Sequence, residues 1–157
     1  MQLAFAWLEH SWLGNAVNNS KWAFAAIEAG HLLALAMLGG AVLLVDMRML
    51  GLGLKDEPVR KLARAAQPWL IIGLVGMIVT GVPLLASLAE SKYYANEAFR
   101  LKMYFLGAAL LFTFTIRQRV ALRDRPSTSV LQTRMIAVTS VLLWSGVGIM
   151  GRGIGFY

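Results

Sequence analysis

Glu28 and His31 stand three residues apart in the run Trp22–Val45, WAFAAIEAGHLLALAMLGGAVLLV, and no other side chain of that run ionises. A helix of this length rises far enough, at ~1.5 Å per residue, to cross the ~30 Å hydrocarbon core of a bilayer. Ionisable groups at such depth are costly, and they persist where they face a bundle interior and act on something. Positions i and i+3 share a helix face. A neutral imidazole is a good metal or haem ligand, and helical bundles often hold cofactors between facing helices. His31 is therefore the candidate ligand to haem iron or another metal. The alternative is a histidine that only hydrogen-bonds within the bundle. Glu28 is a candidate to orient the His31 ring, to relay protons or to bind metal; otherwise it is a protonated acid bonded to a neighbouring helix. Glu-x-x-His is also half of a di-iron carboxylate motif, but the chain holds only one copy.

Three more residues fall toward the same side of the membrane. Lys102 opens a later apolar run, Arg152 closes the last one, and His10 lies on the segment before the first. Lys102 and Arg152 suit haem propionates, lipid phosphates or a substrate carboxylate; snorkelling to the interface is the alternative. His10 is the only other histidine, so a bis-histidine haem within one chain needs it as the second axial ligand. A second copy's histidine, a methionine or five-coordinate iron are the other routes.

The elements that must position these groups are membrane spans. Of 157 residues, 58% are hydrophobic, and the mean hydropathy is +0.63, above the usual range for soluble domains. Apolar runs lie at about 22–45, 68–88, 99–116 and 135–155. Leu8, Trp12, Leu13, Ala16 and Val17 mark one face of an interfacial helix at about 3–17. The expected fold is all-α: one integral membrane domain over 1–157, a four-helix bundle with a short N-terminal interfacial helix. Pro83 is expected to kink the second span.

The net charge is +7, but it points away from nucleic acid. Arg48, Lys55, Arg60, Lys61 and Arg64 fall in the first interhelical loop, and Arg117, Arg119, Arg123, Arg125 and Arg134 in the third. That asymmetry places both loops in the cytoplasm and both termini in the periplasm of a bacterial inner membrane. Asp46 and Arg48 are expected to pair locally, which leaves the cytoplasmic half without a group comparable to His31. Tyr93, Tyr94 and Trp144 suit an aromatic belt or bundle packing. No basic n-region precedes the first apolar stretch, so Met1 is expected to stay. With no cysteine, disulfides, thiolate metal sites and c-type haem attachment are excluded.

The pattern Glu28-x-x-His31-Leu-Leu, Asp46-x-Arg48, Tyr94-x-Asn96-x-x-Phe99-Arg100-x-Lys102 and Gly151-Arg152 resembles a family of small bacterial four-helix inner-membrane proteins of unassigned function. More distantly, the His31 span and the Phe99–Lys102 helix start resemble the copper-resistance D type and the haem-binding J-type protoporphyrinogen oxidase. In the oxidase, a histidine of an early span and a lysine opening a later one are functional, which the resemblance carries to His31 and Lys102. Its longer histidine-containing signatures are missing here.

The expected function is that of a b-type haem protein in electron transfer near the outer leaflet, with a quinone or another redox partner. His31 and His10 would be iron ligands, Lys102 and Arg152 would hold propionates, and Glu28 would tune the site. A metal or small-solute transporter subunit and an accessory subunit of a larger membrane complex are the alternatives. The glycines of the spans favour close helix packing and a homo-oligomer.

Overall fold

A computed structural model describes residues 7, 9–54, 56–87, 96–123 and 129–154. Residues 3–6 and 8 of the expected interfacial helix, and Tyr93 and Tyr94, lie outside them. Four helices among the described residues are long and apolar enough to cross a membrane, and no strand occurs there. The protein is a multi-pass membrane bundle.

Helix α1 (Trp12–Asn18) is capped by the Ser11 hydroxyl. It sits against the end of the second span. A Cβ on Gly14 would lie 2.8 Å from the Ala86 carbonyl oxygen. Trp12 and Trp22, 83% and 86% exposed, are free for the headgroup region.

Helix α2 (Lys21–Leu50) starts at the Ser20 cap and ends at Gly51. Gly51 has φ +81°, a left-handed turn that glycine adopts without a Cβ clash. Helix α3 (Val59–Ser87) runs unbroken through Pro68 and Pro83. It begins nine residues before the apolar run, because the charged stretch from Val59 still winds as helix outside the hydrocarbon. Helix α4 (Glu97–Phe112) is capped by Asn96, whose side chain accepts from the Phe99 N–H at 3.1 Å. That cap gives the Asn96-x-x-Phe99 spacing a physical reason. A π-turn (Thr113–Arg117) and a short α5 (Gln118–Ala121) extend α4. Helix α6 (Val130–Gly153) opens with a Ser129–Gln132 capping box.

Two antiparallel hairpins result. Helix α3 packs on α2, α6 packs on α4, and α2 joins the pairs through α6. Closest approach in the first hairpin is at Gly73, where a Cβ would stand 2.7 Å from the Leu38 backbone nitrogen. The buried core contains Leu38, Ala41, Val42, Val45 and Met49 of α2 with Ala63, Ala66 and Leu70 of α3, Ala121 of α5 and Ala137 of α6. It belongs to one half of the bundle, the half that also holds Asp46.

There the structure corrects the expected Asp46–Arg48 pair. Arg48 turns outward, and its Nε donates to the Glu57 carbonyl at 2.6 Å. Asp46 pairs instead with Arg117, 71 positions away. Arg117 Nε lies 2.6 Å from Asp46 Oδ1, and Nη2 donates to the Val42 carbonyl at 2.7 Å. Asp46 is 0% and Arg117 1% exposed. Arg117 is thus an interior residue and no part of an exposed basic loop. The π-turn carries it on its buried side with Thr113, and Thr113 Oγ1 accepts from Trp144 Nε1 at 3.1 Å. The half expected to lack a buried ionisable group holds the tightest ion pair of the protein's described residues.

Removing one partner of a buried pair strands the other charge, at a cost of about 3–5 kcal/mol. Arg117→Met should therefore lower the thermal midpoint in detergent sharply. Asp46→Leu combined with Arg117→Met should regain most of the loss. Equal midpoints for the single variant and the native chain would show that the pair does not hold the hairpins together. Gly73→Ala should destabilise by about 1–3 kcal/mol through backbone overpacking, read from the same melting curves.

Candidate functional site

His31 lies ten residues into α2, ~15 Å along its axis. Its ring is half-buried and turned toward α3. His31 Nδ1 lies 2.8 Å from Thr80 Oγ1, and Thr80 Oγ1 donates to the Gly76 carbonyl at 2.6 Å. These two contacts together favour one tautomer. A hydroxyl has one hydrogen, and that of Thr80 goes to Gly76. Thr80 must then accept from His31, so Nδ1 carries the ring hydrogen and Nε2 keeps a lone pair. A histidine whose far nitrogen is anchored in this way is the usual arrangement for binding a metal through the other.

The wall beside the ring is bare. A Cβ on Gly81 would stand 3.2 Å from His31 Cε1, so the glycine lets the imidazole lie against the α3 backbone. Thr80 and Gly81 fall just before Pro83. That proline has no N–H for the Val79 carbonyl one turn back. The Gly76 carbonyl receives the Thr80 hydroxyl as well as serving the helix, a side-chain back-bond of the kind that bends helices.

Lys102 stands on α4 and is half-buried. Its stem lies against α6, where a Cβ on Gly151 would stand 3.7 Å from Lys102 Cε and 3.8 Å from Nζ. No hydrogen bond or ion pair holds Lys102 among the described residues. The spans thus carry an imidazole with a free lone pair on α2 and, on α4, an ammonium without a counter-ion among the described residues.

The other expected site residues stand apart. Glu28 is exposed; Thr80, not Glu28, takes the His31 Nδ1 hydrogen. Arg152 is exposed on the last turn of α6. His10 is exposed just before α1, where its carbonyl accepts from Asn15 Nδ2 at 3.1 Å. No three of His, Cys, Asp and Glu cluster as a metal site among the described residues. Sequence reasoning missed Thr80 as the partner of His31. The signal was present: a hydroxyl in the middle of an apolar run, beside a glycine and one turn from a proline.

A model of a family of unknown function, DUF6644, matches residues 4–157. The chain belongs to that family. The function of DUF6644 is unknown, so the chain's own residues must carry the functional argument. No curated protein and no solved structure matches the chain.

The tautomer is directly measurable. With histidine labelled in both ring nitrogens, solid-state NMR of the lipid-embedded protein should show His31 Nδ1 protonated and Nε2 bare at neutral pH. Thr80→Val should remove the preference and give a mixture. A native His31 protonated on Nε2 would contradict the assignment.

Proposed function

We propose that this protein is a b-type haem-binding redox protein of the bacterial inner membrane, with both termini periplasmic and its site toward the outer leaflet. The single observation that carries the reading is the His31–Thr80–Gly76 chain, which leaves Nε2 free to ligate. The donor set suits a macrocycle better than a bare ion. A bare cation needs several protein ligands, whereas haem brings four nitrogens and asks the protein for one or two. Bound haem iron supplies the one-electron chemistry.

The chain's own residues have distinct tasks in this reading. Thr80 holds the imidazole plane and its tautomer. Lys102 offers its ammonium to an anionic edge such as a propionate, and Arg152 stands at the same end for a second carboxylate. Gly81 and Gly151 keep the walls beside the ring and the lysine flat. His10 would be a second iron ligand if its segment folds inward, or His31 of a second copy would supply one. The orientation rests on the basic residues Arg60, Lys61, Arg64, Arg119 and Arg134 at the Asp46 end, the cytoplasmic pattern. A membrane quinone is the fitting class of electron partner for a site at this depth.

Transport of an ion fits less well. His31 and Asp46 are fifteen residues apart on α2, ~22 Å by helical rise. Between them Leu38, Ala41, Val42 and Val45 are buried, an apolar stretch of α2.

Protein purified from haem-replete cells should show a Soret band that disappears in His31→Ala. Lys102→Gln should keep the band and weaken haem retention about tenfold, the size of one charge-assisted hydrogen bond. A colourless, iron-free preparation would overturn the reading.

A further inference from the structure

Glu28 has no task in that site. Its carboxyl is exposed and has no hydrogen bond or ion pair among the described residues. It lies seven residues past Lys21, ~10 Å along the helix, within the part of α2 that is long and apolar enough to cross a membrane. Ala25, Ala29, Leu32 and Ala36 flank it on α2 and are all exposed. Farther along, a Cβ on Gly39 or Gly40 would meet no atom within 4 Å. The other side of α2 is engaged: Ala34, Leu38, Ala41 and Val45 are buried. One face of the helix thus presents small side chains around a carboxyl that nothing among the described residues satisfies.

We propose that this face of α2 binds the same face of a second copy of the chain, with the two Glu28 carboxyls hydrogen-bonded to each other. A polar group in hydrocarbon finds no partner among lipid tails. A protonated carboxyl is both donor and acceptor, so it is complementary to itself. Twofold symmetry sets each residue against its own counterpart and supplies that partner at equal stoichiometry. Alanine and glycine let the helix backbones approach, and packing then adds to the hydrogen bonds. The contact needs nothing from outside the chain, and it is independent of the haem reading: a colourless protein would form it equally.

The absence of cysteine makes the test clean. Ala25→Cys, Leu32→Cys and Ala36→Cys, each made alone in the full chain and oxidised in native membranes, should give disulfide-linked dimers. Val79→Cys, at an exposed position of α3, is the control and should link several-fold less. Adding Glu28→Ala to Ala36→Cys should cut the linked fraction about three- to tenfold. Glu28→Gln should retain it, because an amide is also both donor and acceptor. Helix content measured on each variant separates lost pairing from lost folding. Equal linking at Val79→Cys, or no effect of Glu28→Ala in a folded chain, would overturn the proposal. So would a basic partner protein that co-purifies with the native chain and is lost in Glu28→Gln.

Discussion

The ion pair between Asp46 and Arg117 is the constraint on which the arrangement of the two hairpins depends. Both side chains are shut away from solvent, and a buried charge is tolerated only with its partner in place. The pair joins α2 of the first hairpin to the π-turn of the second. A second bond from Arg117 to the Val42 carbonyl fixes the guanidinium against the α2 backbone. Small residues then complete the junction, with Ala121 and Ala137 in the common core. Apolar packing alone would allow neighbouring registers; the paired charges favour one.

That constraint acts at one end. Glu28 and Asp46 are eighteen positions apart, five full turns at ~3.6 residues per turn, so they lie on the same side of α2. Asp46 is covered by the second hairpin, whereas Glu28 is bare. The same helix face is therefore closed near the π-turn and open near His31. In the open half, α4 and α6 remain close to each other, as Gly146 against Phe105 and Gly151 against Lys102 attest. Hydrophobic burial in lipid gives no force to close such a gap. The clamp fixes the hairpins at one end, and the bare carboxyl at the other is left for the second copy that we propose.

The sequence made the membrane architecture legible because its signals are local. Apolar length marks the spans, and basic loops mark the sides. The His31 span and the Lys102 helix start stood out for the same reason: each breaks a strong local pattern. What could not be read was pairing across distance. Arg117 looked like the first residue of a basic loop, since the apolar run ends just before it. Only the π-turn and a contact 71 positions away make it a core residue. Asp46 had Arg48 two residues away, a nearer basic group that proved to serve the Glu57 carbonyl. Glu28 and His31 share a helix face by spacing, yet residues three apart still differ by ~60° around the axis. That difference sends the imidazole to Thr80 and leaves the carboxyl outside.

Pulsed electron paramagnetic resonance on the ferric protein, prepared with nitrogen-15 histidine, tests the central claim most directly: that the anchored imidazole of His31 is a ligand. The expected spectrum shows hyperfine coupling from an imidazole nitrogen bonded to the metal, and His31→Ala removes it. A metal signal without histidine nitrogen coupling, or one that persists unchanged in His31→Ala, would contradict the account.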